Sequence, residues 1–592
     1  MLQFFKYVFA TIIGLFLFIF LFFVVIMGIG AAFSGSDSTA SISDNTILKL
    51  NLNRQIVDNQ PSNDSPFKAF ESIFNANEPA AAGLVQIKKA IANAKIDPKI
   101  KGIYLEANMP VAGFANLEEI REALIDFKKS KKFIIAYGEY YLEKGYYLAS
   151  VADKIYLNPA GMMDFNGLSA EYSFYKGTLE KLEIKPLIYK VGTFKSAVEP
   201  FLLDKMSEAN KLQTTSFLGS INNHIFKNIA VSRNLSVQKV TQIADSLTAF
   251  RAKGALASGL ITHLGYYTDV ETAMKKSLGN KETDKIKFIN ISKYLKTDLP
   301  IKEKYQKEKI AILTSEGEIN SGKGSNDMIG SDTFVEEITK LRNDKNVKAV
   351  VLRINSPGGS ALASDVMWNE VQQTRKIKPV IASFADYAAS GGYYMGMGAD
   401  AIVAQPTTIT GSIGIFMILF NAENFLKNKL GITNDFVGTN ANASFPSVTR
   451  QPTTFENNVL QNSTNEGYET FTSKAALGRK MSIEKLKSLA EGRVWSGSQA
   501  KDNGLIDEIG GIDKAIEIAA KKAKLKSGEY SPKYITNKKS DFEAIFDLDS
   551  DEAEGKILQN LFGKYANLVK KAQQFTKKEG LMAKMEYDLE LK

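Results

Sequence analysis

The first stretch of the chain is patterned unlike the rest. Residues 8–33 carry no charged side chain and consist mostly of Phe, Ile, Leu and Val. That run exceeds the roughly 20 apolar residues a helix needs to cross a hydrocarbon core, and also the ~7–15 of a cleaved signal peptide. A membrane-spanning anchor is the expectation. Lys6 and the amino terminus precede the run, whereas Asp37 and Asp44 follow it, with no basic residue before Lys49. The positive-inside rule then places the N-terminus in the cytoplasm and the remainder across the membrane. Beyond the anchor, short β-branched runs at 310–313 and 347–354 alternate with helical patterns at 334–341 and 363–374. Apolar runs of strand length between amphipathic helices predict α/β domains with largely parallel sheets. A helix is predicted over 482–489, with Ser482 at its N-cap.

A constant offset of 247 aligns two long parts of the chain. Asp97 meets Asp344, Leu105 meets Leu352, and Asn108 and Pro110 meet Asn355 and Pro357. The same offset carries Gly145-Tyr146-Tyr147 onto Gly392-Tyr393-Tyr394, Asp153 onto Asp400 and Gly167 onto Gly414. With small shifts, V-G-T at 191–193 meets V-G-T at 437–439, and G-L-I at 259–261 meets G-L-I at 504–506. The predicted organisation is an N-terminus, anchor and linker (1–45), a first repeat (46–300), a second repeat (301–540) and a tail (541–592). Within the tail, 547–554 reads as a solvated acidic linker and 557–575 as an amphipathic helix suited to a neighbour or a membrane surface.

Composition narrows the chemistry. The 592 residues exceed what one hydrophobic core organises, consistent with two domains. There is no cysteine and there are only two histidines, His224 and His263. Thiol nucleophiles, disulfides and iron–sulfur ligation are excluded, a multi-histidine metal site is nearly so, and any Ser-His-Asp triad would need one of those two residues. Lys and Arg number 74 against 65 Asp and Glu, a net charge of +9. The excess is spread along the chain as a solvated surface, so no nucleic-acid partner is expected. The segment 317–324 resembles a phosphate-binding loop but lacks its Ser/Thr hydroxyl, and no cofactor or metal is expected.

Candidate chemistry lies where the repeats differ. At the proline turn the second copy has Gly358 and Gly359 where the first has Val111 and Ala112. Consecutive glycines after a strand let backbone N–H groups point into a cleft, as in an oxyanion hole, although alone they more often make an ordinary turn. Further on, Ser390 in D-Y-A-A-S-G-G-Y-Y stands where the first copy has Glu143. A serine among small residues at a strand-to-helix turn suits a nucleophile, although alone such a serine is more often a helix cap. After V-G-T the pattern reverses, with Lys195 in the first copy against Ala441 in the second. Each copy keeps what the other has lost, as a split Ser/Lys pair would leave behind.

The motifs A-A-S-G-G-Y, N-S-P-G-G, I-T-G-S-I-G (409–414) and G-T-F-K-S-A-V-E-P-F (192–201) resemble the signal peptide peptidase A family, peptidase family S49, in its long, duplicated, membrane-anchored bacterial form. The resemblance runs from the anchor to about residue 530. It implies tandem ClpP/crotonase-like α/β domains and a Ser/Lys serine endopeptidase. It also implies a homotetramer on the outer, periplasmic face of the cytoplasmic membrane, with remnant signal peptides and other apolar peptides as substrates. By the same resemblance Ser390 is the nucleophile, Lys195 the general base, Ser412 the residue that orients the lysine, and Gly359 and Gly391 the oxyanion amides. An ordinary lysine titrates near 10.4, so a lysine base at neutral pH needs burial to lower its pKa by ~2–4 units. Two other readings remain at this point: a crotonase-fold acyl-CoA enzyme, and a non-catalytic membrane scaffold.

Overall fold

The apolar runs of both repeats fold as strands, and their spacing keeps the offset seen in the sequence. The computed structural model describes residues 42–58, 81–302, 305–325, 328–535 and 580–585, with isolated positions among the first 21. The first repeat contributes β1 (Thr46–Asn51), β2 (Ile100–Glu106), β3 (Phe133–Tyr141), β4 (Lys154–Met163), β5 (Lys185–Val191), β6 (His263–Leu264) and β7 (Lys287–Asn290). All but β5 form one parallel sheet in the order β6-β4-β3-β2-β1-β7.

The second repeat starts with β8 (Glu308–Glu316), β9 (Glu318–Asn320), β10 (Met328–Gly330), β11 (Val347–Ser356) and β12 (Gly358–Ser360). It continues with β13 (Val380–Ala389), β14 (Ala401–Ala404), β15 (Ile409–Gly411), β16 (Ile415–Asn421), β17 (Val494–Ser496), β18 (Glu508–Ile509) and β19 (Tyr530–Ile535). Its main sheet runs β17-β15-β13-β11-β8-β19, with β14 joining β13 to β18. Ile100 and Val347, Phe133 and Val380, and Lys154 and Ala401 open matching strands. The two repeats are thus tandem copies of one α/β unit. The central strands are buried on both faces, as parallel strands covered by helices must be; in β11 only Lys348 and Asn355 are partly open. The predicted helix beginning after Ser482 is present as Ile483–Leu489, with the Ser482 side chain accepting from the Lys485 amide.

A third sheet, which the sequence pattern did not announce, joins the copies; with β20 (Met582–Lys584) its order is β10-β9-β12-β20-β16-β5. Strand β5 of the first repeat pairs antiparallel with β16 of the second along seven residues, from Ile415 opposite Val191 to Asn421 opposite Lys185. Strand β20 (Met582–Lys584) belongs to the C-terminal tail and lies between β12 and β16. The expected helix at 557–575 lies outside the described residues, as does most of the apolar run 8–33. Among the described residues no helix is long and apolar enough to cross a membrane.

Buried charge also ties the repeats together. Arg353 on β11 is fully buried and forms ion pairs with Asp58 (2.8 Å) and Glu119 (2.9 Å) of the first repeat. Its guanidinium also donates to the Asn116 side chain at 2.8 Å and to Ser383 Oγ at 3.1 Å. Glu119 accepts in addition from Lys88, and these two cations hold its carboxyl low, at about 2, against the cost of burial. In the other direction, Asp386 of the second repeat accepts from the amides of Gly113 and Asn116 at the start of the helix Phe114–Lys128. A planar fork with several donors meets this acceptor set where a point charge does not. Arg353→Met leaves Asp58 buried without its cation and is expected to cost about 3–5 kcal/mol. Arg353→Lys should recover only part of that loss, with urea unfolding of both variants as the measurement.

Candidate active site

Ser390 sits on the turn between β13 and the short helix Gly391–Gly396, with φ 53° and ψ −111°. That conformation is sparsely populated for a residue with a side chain, and its strain is held by the flanking strand and helix. The Ser390 amide donates to the Gly411 carbonyl at 2.8 Å, which fixes the turn to β15. A serine on a sharp strand-to-helix turn presents its hydroxyl clear of the backbone, with helix amides beside it. In the first repeat the same turn carries Glu143.

Lys195 arrives from the other repeat. It follows β5 through Gly192 (φ 108°), and the Phe194 amide donates to the Glu491 carbonyl at 2.9 Å. Gly492 makes the approach possible, because a Cβ there would lie 2.7 Å from Lys195 Cα. Gln213 clamps the segment, donating to the Phe194 carbonyl (3.0 Å) and Ser196 Oγ (2.8 Å) and accepting from the Val494 amide. Lys195 is 1% exposed. Its Nζ lies 2.9 Å from Ser390 Oγ, 3.1 Å from Ser412 Oγ and 3.2 Å from the Ser412 carbonyl oxygen. The Phe416 ring centroid is 5.9 Å away. Ser412 lies in the turn between β15 and β16, with φ 50° and its amide donating to the Arg493 carbonyl.

The glycines close the other side. A Cβ on Gly391 would stand 3.1 Å from the Gly359 amide nitrogen and 2.6 Å from Ser364 Oγ, so the backbones of the two turns approach in a way that only glycine permits. All five residues singled out in the sequence are therefore neighbours: Ser390, Lys195, Ser412, Gly359 and Gly391. Gln213 and Gly492 were not singled out. Gln213 is one polar residue inside a long helix, and Gly492 matters only for what approaches it from the other repeat. The histidines lie in other settings, His224 against Glu118 at 3.1 Å and His263 stacked on Tyr156. The repeated tyrosines are packing elements. Tyr146 and Tyr393 are fully buried, and each donates its hydroxyl to a carbonyl of the G-L-I segment in its own repeat.

A strained serine, a buried lysine and two facing glycine turns form an arrangement suited to acyl transfer, and comparison with known proteins gives the class. The chain matches peptidase family S49 over residues 126–281 and 372–526. It is 37% identical to Protease 4 of Haemophilus influenzae, across 82% of this chain and 80% of that one. It is 36% identical to Protease 4 of Salmonella typhi, across 83% and 81%. A putative signal peptide peptidase of Enterococcus faecium is 35% identical across 39% of this chain and 68% of its own. The protein is a serine peptidase. More narrowly, it belongs to peptidase family S49, with one family match in each repeat. The acyl-CoA enzyme and the inert scaffold are thereby set aside.

The vacated position in the first repeat has a measurable consequence. Glu143 is buried, and its Oε2 accepts from the amides of Gly167 (2.9 Å) and Asn166 (3.2 Å). Burial nevertheless pushes its carboxyl up from 4.5 to about 7. Between those values the folded state holds a proton that the unfolded chain has released. The stability contributed by the neutral acid is therefore complete below pH 4.5 and is lost as pH rises towards 7. Glu143→Gln should match wild type at pH 4.5 and exceed it at pH 8 by about 3 kcal/mol, read as a pH-dependent difference in Tm.

Proposed function

We propose that Ser390 is the nucleophile and neutral Lys195 the general base of this peptidase, acting across the two repeats. The observation that carries the reading is the 2.9 Å contact between Lys195 Nζ and Ser390 Oγ. Lys195 takes the proton from the Ser390 hydroxyl as Oγ attacks the scissile carbonyl. The oxyanion is held by the amides of Gly359 and Gly391, whose fixed dipoles need no reorganisation as charge develops. The lysine then returns the proton to the leaving amine, and water releases the acyl-enzyme. Ser412 offers a hydroxyl and a carbonyl to the lysine, which aims Nζ at the serine. The role requires a neutral amine, and an apolar substrate covering the site would exclude the water that favours its charged form.

The substrates on this reading are released signal peptides and other apolar segments. The name of the Enterococcus relative supports that class, as does the apolar cluster Ala197, Val198, Phe201, Phe416 and Ile418 beside the lysine. Residues 8–33 serve as a single anchor in the cytoplasmic membrane, with the ClpP/crotonase-like repeats on the periplasmic face and four chains to the assembly. The apolar run itself supports the anchor.

Hydrolysis of a synthetic signal peptide by the detergent-solubilised chain tests the assignment. Ser390→Ala and Lys195→Ala should each lose about a thousandfold or more in kcat while remaining folded. Ser412→Ala should lose roughly ten- to a hundredfold through misplacement of the base. Wild-type activity should climb between pH 6 and pH 9. Full activity in Lys195→Ala, or a maximum at pH 6, would sink the lysine base.

A further inference from the structure

The tail strand β20 lies in the site. Its partners are β12, which carries Gly359, and β16, which carries Phe416. The register sets Lys584 opposite Gly358, Ala583 opposite Gly359 and Met582 opposite Ser360. At the two ends of this ladder the Ala361 amide donates to the Leu581 carbonyl at 3.0 Å and the Met585 amide donates to the Pro357 carbonyl at 2.8 Å. Antiparallel strands alternate bonded and unbonded pairs, so Gly359 and Ala583, midway between, form the next bonded pair. The Ala583 carbonyl oxygen is hemmed in by the glycine turns. A Cβ on Gly391 would fall 2.9 Å from it, and one on Gly358 2.2 Å. That oxygen therefore occupies the place where the reading above puts an oxyanion.

The side chains around it are matched one by one. Ala583 is fully buried, and Met582 packs in the apolar cluster with Phe416, Ala197 and Phe201. Leu581 reaches the helix Thr454–Arg479, 3.3 Å from where a Cβ on Gly467 would stand. Lys584 forms an ion pair with Glu318 on β9 at 2.7 Å, with only 6% of the lysine side chain and 18% of the glutamate exposed. An extended peptide held by main-chain bonds, with alternate side chains in shaped pockets, is how a sheet edge reads a substrate strand.

We propose that the segment 581–585 is the enzyme's own substrate, cut between Ala583 and Lys584, and that Glu318 is the specificity residue that selects a basic side chain just after the scissile bond. The proposal rests on the catalytic reading given above. Ser390 Oγ bonds to the Ala583 carbonyl carbon and the Ala583–Lys584 C–N bond breaks. Lys195 passes the serine proton to the Lys584 amine, and residues 584–592 depart. Water then hydrolyses the ester, leaving a carboxylate at Ala583 and restoring the Ser390 hydroxyl. Until that cut, the tail excludes other peptides from the cleft.

Intact mass of the purified full chain is the first measurement. Wild type should lack residues 584–592, and Ser390→Ala should keep them. A wild type that hydrolyses added peptide yet retains its whole tail overturns self-cleavage and leaves the catalytic reading standing. The same cut in both chains overturns it too, by assigning the trimming to another protease. A wild type that neither trims itself nor cuts added peptide defeats both readings together. The second measurement compares the peptides Leu-Met-Ala-Lys-Met and Leu-Met-Ala-Glu-Met. Wild type should favour the lysine peptide by about tenfold or more in kcat/KM, and Glu318→Gln should bring the two near parity while still cutting both. An unchanged preference in Glu318→Gln overturns its role as the specificity residue.

Discussion

Lys195 and Ser390 belong to different copies of one domain, and everything in the site depends on their meeting across the seam. A hydrogen bond of 2.9 Å tolerates little relative movement of its supports. The seam is correspondingly over-determined. Strand β5 leads directly to the lysine and is clamped to β16, which follows directly from Ser412. Asp386, four residues before the serine, caps a helix of the first repeat. Arg353 is neutralised by carboxylates that the first repeat supplies. A buried guanidinium is costly unless its partners are in place, so the repeats are strongly favoured in one mutual arrangement. That arrangement is the one that joins the lysine to the serine.

The two copies differ at the positions that form the candidate site. The first repeat keeps the strand-to-helix turn but places Glu143 there, buried and pushed towards neutrality. The second keeps the serine and the glycine turns but has no lysine at the matching place. Neither copy brings both groups, so the Lys195–Ser390 contact is a property of the pair. The packing tyrosines persist in both, because each copy must still close its own core.

Most of the fold was legible in the sequence because its signals are local. Runs such as 347–354 have the length and β-branching of buried parallel strands, and the offset of 247 exposed the duplication without any structural input. The five candidate site residues were legible for a different reason. Loss of lysine in one copy and of serine in the other is visible only when the copies are compared, and the family resemblance assigned the roles. The third sheet was not legible. Its strands β9, β12 and β20 are three residues each, too short for an alternating pattern to register. Pairing of β5 with β16 joins segments more than two hundred residues apart, and nothing in either one names its partner. Gly492 and Gln213 were hidden likewise, since their importance lies in what another segment brings to them.

The position of β20 inside the third sheet has a geometric consequence. Without it, β12 and β16 are two edges facing each other across the width of one missing strand, about 9–10 Å from backbone to backbone. A gap of that size accepts a single extended chain bonded on both sides. An α-helix, ~10–12 Å across with its side chains and with its backbone bonds already satisfied, neither fits nor gains by entering. On the proposed reading, apolar peptides that are helical in a lipid environment must unwind before this sheet can take them. The missing strand sorts by conformation first, so a folded domain with no loose extended segment has nothing to offer it, whatever its sequence.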